Sequence, residues 1–237
     1  MNIKSHIPNT ITVFNLLCGS IAVIFLFNGL LLGAALLVGL AAVFDFLDGF
    51  TAKLLNAKSL IGKELDSLAD VISFGLVPSL FMFVLLKSEV NNEMSSFMSV
   101  IPYLALAITA FSALRLAKFN LDTRQTTSFI GLPVPSNAIF IISFVMVVST
   151  NDAPLPILNQ IAANIWVQLA VIAISSYLLV SEIPMFAMKF SKGYGIKDNK
   201  VRYSFILLAL ISIVFLGWTG ISLTIVIYIL MSLKFKV

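Results

Sequence analysis

The chain has 11 carboxylates in 237 residues, and five of them, Asp45, Asp48, Glu64, Asp66 and Asp70, crowd into one short stretch. Four of these five lie in or beside otherwise apolar sequence. A carboxylate at bilayer depth costs about 2.5–3.5 kcal/mol on insertion scales and by default marks function. Asp45 and Asp48 stand at i, i+3, and Asp66 and Asp70 at i, i+4. On helices, each pair shares one face. A short connection makes the two helices antiparallel neighbours, so the pairs can oppose one another. Four such acids packed together repel and take up protons unless cations intervene. Oxygen-only ligation by carboxylates selects hard ions such as Mg²⁺ or Mn²⁺ over zinc. The pattern therefore predicts a metal cluster. Gly49, Ala52, Gly62 and Ala69 lie around it, and side chains this small leave clearance for a bulky polar ligand.

The elements that must position these acids follow from composition. The chain is 59% hydrophobic and 11% charged, against roughly 25% charged for a soluble domain. Several apolar runs exceed the roughly 18 residues that suggest a bilayer span, and only helices span lipid economically here. The sequence predicts an all-α, polytopic transmembrane helix bundle of about eight spans. They run approximately over 7–27, 30–55, 60–86, 97–119, 133–150, 161–186, 203–218 and 221–233. The last two are short, with a tight turn through Gly217 and Gly220, and read as a tilted hairpin. No repeat or linker is visible, so residues 1–237 read as one membrane domain. Met1 to Thr10 is short and polar, and no Ala-x-Ala-like cleavage chemistry follows the first apolar run, so no cleavable signal peptide is expected.

Orientation follows from the basic residues. With alternating spans and a cytoplasmic N-terminus, one side carries Lys4, Lys53, Lys58, Lys63, Arg115, Lys118, Arg124, Lys189, Lys192, Lys197, Lys200, Arg202, Lys234 and Lys236. The other carries only Lys87. That asymmetry predicts both termini in the cytoplasm, and the cytoplasmic membrane, with the acidic cluster near its cytoplasmic face, is the expected location. The net charge of +4 is thus a topology signal that also suits anionic lipid headgroups. Basic residues dispersed over so many loops argue against nucleic acid as a partner. Cys18 and His6 read as structural or interfacial residues, since one cysteine makes no intramolecular disulfide and no metal spacing.

The string Asp45-Phe-Leu-Asp48-Gly49-Phe-Thr-Ala52-Lys53, followed by Gly62-Lys-Glu-Leu-Asp66-Ser-Leu-Ala-Asp70, resembles the signature of the CDP-alcohol phosphotransferases, DxxDGxxAR…GxxxDxxxD. It departs from that pattern at Lys53, where the family has arginine. The charge survives, but the bidentate fork does not. Ser67-Leu-Ala-Asp-Val-Ile-Ser-Phe-Gly-Leu-Val-Pro78, Arg115-Leu-Ala-Lys-Phe-Asn120, Phe129-Ile-Gly-Leu-Pro-Val-Pro135 and the opening Pro8-Asn9-Thr-Ile-Thr12 with Asn15 resemble the membrane-embedded phosphatidylserine synthase branch. The resemblance covers residues 8–137. The spans over 161–233 match in hydropathy alone.

What the resemblance implies is specific. The donor is CDP-diacylglycerol, the acceptor L-serine, and the products phosphatidylserine and CMP. The cofactors are two divalent metal ions, Mg²⁺ or Mn²⁺. Asp45, Asp48 and Asp66 are implied as the core metal ligands. Asp70 is implied as the general base that takes the serine proton, touching a metal as well. Direct displacement is expected, because no Ser, Cys or His is placed as a covalent nucleophile. Gly49, Lys53 and Ser59 are candidates for holding the cytidine and phosphates, with Asn9 and Thr12 beside them. Arg115, Lys118 and Asn120 are candidates for the acceptor carboxylate, and Glu182 for its ammonium group. Membrane lipids and a second copy of the chain are the remaining partners implied. Arg115, Lys118 and Arg124 equally suit positive-inside anchors, and Glu182 equally suits an interface pair with Lys189. Other acceptors, such as glycerol phosphate, inositol, inositol phosphate or choline, fit the same signature. A transporter is the reading from a different class, but it predicts inverted repeats and discontinuous helices, and the sequence presents neither.

Overall fold

The structure is a computed structural model that describes residues 3–57, 59–90, 98–122, 129–151, 153–185 and 199–234. Lys58, Arg124, Lys189, Lys192, Lys197 and Lys236, used above for orientation, lie outside the described residues. The described residues cluster into two compact units, Met1–Ala117 and Lys118–Val237.

The first unit begins with α1 (Ile3–Phe27), α2 (Leu31–Leu54) and α3 (Leu60–Asp70). α1 packs along α2 and also touches α3. The α1–α2 turn needs Gly29, which sits at φ +76 in the left-handed region that glycine enters without steric cost. Ser59 caps α3, its hydroxyl oxygen accepting from the Gly62 N–H at 3.0 Å, as an N-cap serine does.

Directly after Asp70 the helix widens into a π-turn, Val71–Leu76, before continuing as α4 (Val77–Glu89). The Val77 N–H reaches back five residues to the Ile72 carbonyl. The cause lies in the sequence. Pro78 has no N–H to give to Phe74, and in a regular α-helix its ring would press on the Phe74 carbonyl. One wider turn relieves that clash. Hydropathy does not register such a turn, so the third span reads simply as continuous helix. The turn and the helix beyond it are tightly packed, with Phe74, Val77, Phe81 and Met82 buried. A 3₁₀ segment, Met98–Leu106, then leads into α5 (Ala107–Leu121). Across this packing the Thr109 hydroxyl donates to the Gly75 carbonyl at 3.4 Å.

The second unit contains α6 (Val134–Thr150), α7 (Pro156–Ala163), α8 (Ile165–Val180) and α9 (Lys200–Lys234). A two-residue antiparallel pairing joins β1 (Phe129–Ile130) to β2 (Pro184–Met185). Gly131 adopts φ +73, its N–H donates to the Ile183 carbonyl, and the next N–H, of Leu132, donates to the Leu178 carbonyl, both at 2.9 Å. The second of these bonds satisfies a carbonyl in the last turn of α8 that a helix terminus leaves open. Leu132, Met185 and Tyr228 form a small buried core beside it.

The sixth apolar run differs from its expected bounds of 161–186. α7 and α8 meet at a 72° bend, where the Asn164 side chain accepts from the Trp166 N–H. The helix ends at Val180, and Pro184 sits in β2. Asn164 provides the N-cap that restarts the helix. The final stretch, α9, is broken at Gly217, with φ 52 and ψ −127. A Cβ on Gly220 would collide with the Ser212 carbonyl. Eight residues of straight helix would separate these positions by about 12 Å, so the chain doubles back at Gly217, as a hairpin requires. Among the described residues, five helical stretches are long and apolar enough to cross a membrane, or up to six if the bent pair counts as one span, and α6 is a shorter apolar helix. The architecture is an all-α, polytopic helix bundle.

Candidate metal centre and nucleotide cavity

The first unit carries the site. α2 presents Asp45 and Asp48 near its end, and α3 presents Asp66 and Asp70 after a short connection. Asp45, Asp48 and Asp66 converge, with one carboxylate oxygen from each lying within 4.8 Å of the others. Asp45 and Asp66 are within hydrogen-bond reach of one another. Two carboxylates that close repel unless a proton or cation lies between them. Asp66 Oδ1 is buried and has no hydrogen-bond partner. An orphaned carboxylate oxygen in an all-oxygen cluster fits a hard divalent cation, so the residues present suit the expected metal.

Asp70 stands apart from this trio. It is buried at 7% exposure and held from α1, where Asn15 Nδ2 donates to its Oδ1 at 3.3 Å. Asp48 is also held from α1, because the Thr12 hydroxyl, 2.6 Å from Asp48 Oδ2, donates to it. Thr12 and Asn15 stand at i, i+3, so one face of α1 reaches a carboxylate on each of the next two helices. Thr12 is thus a carboxylate partner as well as a cavity residue. In the sequence Asn15 stands out only as part of the opening segment. The signal that could have found it is a lone amide among Phe14, Leu16 and Leu17, one helical turn from Thr12.

Beside the trio opens a cavity of about 520 Å³, within the ~300–1,000 Å³ range of small-molecule sites. Asp48 and Asp66 form part of its wall, with Gly49, Ala52 and Gly62 as its small residues. Asn9, Thr12 and Ser59 also line it, so four of the five residues expected to hold the donor are there. Ser59 uses its oxygen lone pair to cap α3, which leaves the hydroxyl proton to donate. Lys53 is exposed and is not part of the lining. Lys63 is. Which lysine meets the cavity depends on helix rotation and on the tight turn through Asn56, at φ 48, neither of which the motif reveals. The narrow clearance at Gly62 is specific. A Cβ there would lie 2.9 Å from Asn9 Oδ1 and 3.0 Å from Ser59 Oγ.

The expected acceptor residues divide differently. Arg115 is buried near the end of α5, at 7% exposure. Lys118, Asn120 and Glu182 belong to the second unit, and Lys118 and Glu182 are exposed.

Comparison with known proteins decides the family. The model of the CDP-alcohol phosphatidyltransferase family matches residues 5–180. The chain belongs to this family. As a CDP-alcohol phosphatidyltransferase it has relatives of known name. It is 34% identical over 135 residues to the CDP-diacylglycerol–serine O-phosphatidyltransferase of Bacillus subtilis (strain 168), which covers 55% of this chain and 70% of that protein. It is 32% identical over 145 residues to the protein of the same name from Helicobacter pylori (strain ATCC 700392 / 26695), covering 59% and 56%. For the one from Mycobacterium leprae (strain TN) the identity is 30% over 190 residues, covering 76% and 57%. The chain thus spans little more than half of the Helicobacter and Mycobacterium proteins.

Proposed function

We propose that this chain transfers the phosphatidyl group of CDP-diacylglycerol to the hydroxyl of L-serine, releasing CMP. The observation that carries the reading is the convergence of Asp45, Asp48 and Asp66 beside a cavity of about 520 Å³ walled by glycine, alanine and a lysine. A lipid donor needs its acyl chains in the bilayer and its pyrophosphate at the interface. Carboxylates near the shared end of α2 and α3 suit that position, and the surrounding lysines support the cytoplasmic face. The relatives named for serine transfer support serine as the acceptor.

The residues divide the work. Asp45, Asp48 and Asp66 would hold two divalent ions, Mg²⁺ or Mn²⁺. The chemistry such ions supply when bound is neutralisation of the pyrophosphate charge and alignment of the attacking and leaving oxygens. Gly49 and Gly62 give the nucleotide room, Ser59 and Asn9 offer hydrogen bonds, and Lys63 offers charge to the phosphates. Asp70 serves as the base in this reading. The serine oxygen forms a bond to the lipid-side phosphorus, its proton passes to an Asp70 oxygen, and the bond to CMP breaks. An alcohol is a poor nucleophile at neutral pH and needs this help. Arg115, buried and cationic, is the acceptor candidate in the same unit, for the serine carboxylate.

The test is CMP release by the purified chain given CDP-diacylglycerol and Mn²⁺ or Mg²⁺, with serine, glycerol phosphate or inositol as acceptor. Release with serine alone supports the reading. Release only with another alcohol replaces the acceptor but keeps the reaction, whereas no release with any acceptor removes the reaction.

A further inference from the structure

The geometry points to Asn15 as a positioning residue that aims the Asp70 carboxylate from α1. This rests on the proposed reaction and adds a residue to it. Asn15 is fully buried, at 0% exposure. Its amide nitrogen donates to Asp70 Oδ1 at 3.3 Å, while its own Oδ1 is buried without a hydrogen-bond partner. A buried, unsatisfied amide oxygen is a cost to folding, so packing alone does not account for an amide at this position. The half of the amide that is paired faces the acid, and that pairing is what the residue supplies.

The surrounding backbone holds this contact in register. Ser73, in the π-turn and fully buried, donates its hydroxyl to the Asn15 carbonyl at 3.0 Å. One turn further along α1, Gly19 lies against the same serine, and a Cβ there would meet Ser73 Cα at 2.9 Å. α1 is therefore pressed onto the turn that directly follows Asp70, with Asn15 at the point of contact. One hydrogen bond to Oδ1 fixes the carboxylate plane and leaves Oδ2 for the proton of the acceptor hydroxyl.

Asn15→Leu, near-isosteric and apolar, separates this role from a packing role. The full chain in lipid nanodiscs is assayed for CMP release with whichever acceptor the unaltered protein uses. The expected result is kcat lower by on the order of ten- to a hundredfold, as for a misaimed catalytic group. The KM values for donor and acceptor should stay within about twofold, and Tm should fall by no more than a few degrees, the effect of one lost hydrogen bond. Asn15→Asp, which replaces the donor with an acceptor, should lose at least as much kcat. Equal kcat for the Leu variant and the unaltered protein would overturn the inference. So would a fall in kcat that comes only with a lower Tm and weaker donor binding, since that marks a packing role. If Asn15→Leu does not fold, the Asp variant carries the same comparison, and normal kcat in it overturns the inference. An unaltered protein inert with every acceptor would instead mark failure of the proposed reaction itself.

Discussion

Thr12 offers a sharp test, because its hydroxyl donates to a buried carboxylate of the site. Thr12 and Asp48 are 3% and 6% exposed, and their oxygens are 2.6 Å apart. That lies in the ~2.5–2.7 Å range of O–H···O⁻ bonds. A hydrogen bond to a charged group contributes about 1.5–3 kcal/mol. At ~1.4 kcal/mol per tenfold, removing it should weaken metal binding by about 10- to 100-fold. Partners that orient metal ligands have effects of the same size, about 10–100-fold. Thr12→Val keeps the β-branch and removes only the hydroxyl. The assay is CMP release titrated with Mn²⁺, with bound Mn²⁺ followed in parallel by electron paramagnetic resonance. The half-saturating Mn²⁺ should rise by that factor, and saturating metal should recover most of kcat. Thr12→Ser keeps the hydroxyl and should stay close to the unaltered protein. A Val titration that overlays the unaltered one, or a Ser variant as weak as Val, would refute the argument that Thr12 holds Asp48 for the metal.

Three further outcomes follow. Asp70→Asn should lower turnover by about 10²–10⁴-fold, the range for general base catalysis, with Mn²⁺ and CMP binding largely kept; residual activity above a tenth would remove Asp70 as base. Gly62→Ala pushes a methyl group toward Asn9 Oδ1 and Ser59 Oγ, at 2.9 and 3.0 Å, so KM for CDP-diacylglycerol should rise by on the order of tenfold. Steady-state kinetics showing unchanged KM would mean the donor does not use this cavity. In the second unit, Gly131→Ala places a Cβ 2.7 Å from the Leu179 carbonyl at φ +73. The left-handed backbone alone costs about 1–2 kcal/mol, so thermal unfolding should shift down by at least ~2–4 °C.

Much of the site was legible because helix geometry translates spacing into faces. Asp45 and Asp48, and Asp66 and Asp70, sit at i, i+3 and i, i+4 in apolar sequence, and three of them do converge. Gly49 and Gly62 mark clearance, and both border the cavity. What hydropathy could not reveal depends on contacts between helices. Asn15 and Thr12 matter through partners 55 and 36 residues away, and no local pattern states such a pairing. The π-turn arises from Pro78 acting four residues back, within a run that reads as uniform helix. Lys63 replaces Lys53 at the cavity because the rotation of α3, set by the Ser59 cap and its packing on α1, decides which lysine points inward. The bend at Asn164 and the reversal at Gly217 interrupt apolar runs without changing their composition, which is why the bounds of the sixth span moved.

The claim on which the account turns is that Asp45, Asp48 and Asp66 hold divalent cations together. Crystals of the protein grown with Mn²⁺ and measured at the manganese absorption edge test it directly. The account predicts anomalous density in contact with all three carboxylates, lost in Asp66→Asn. Ordered, well-resolved carboxylates with no anomalous peak among them would contradict it.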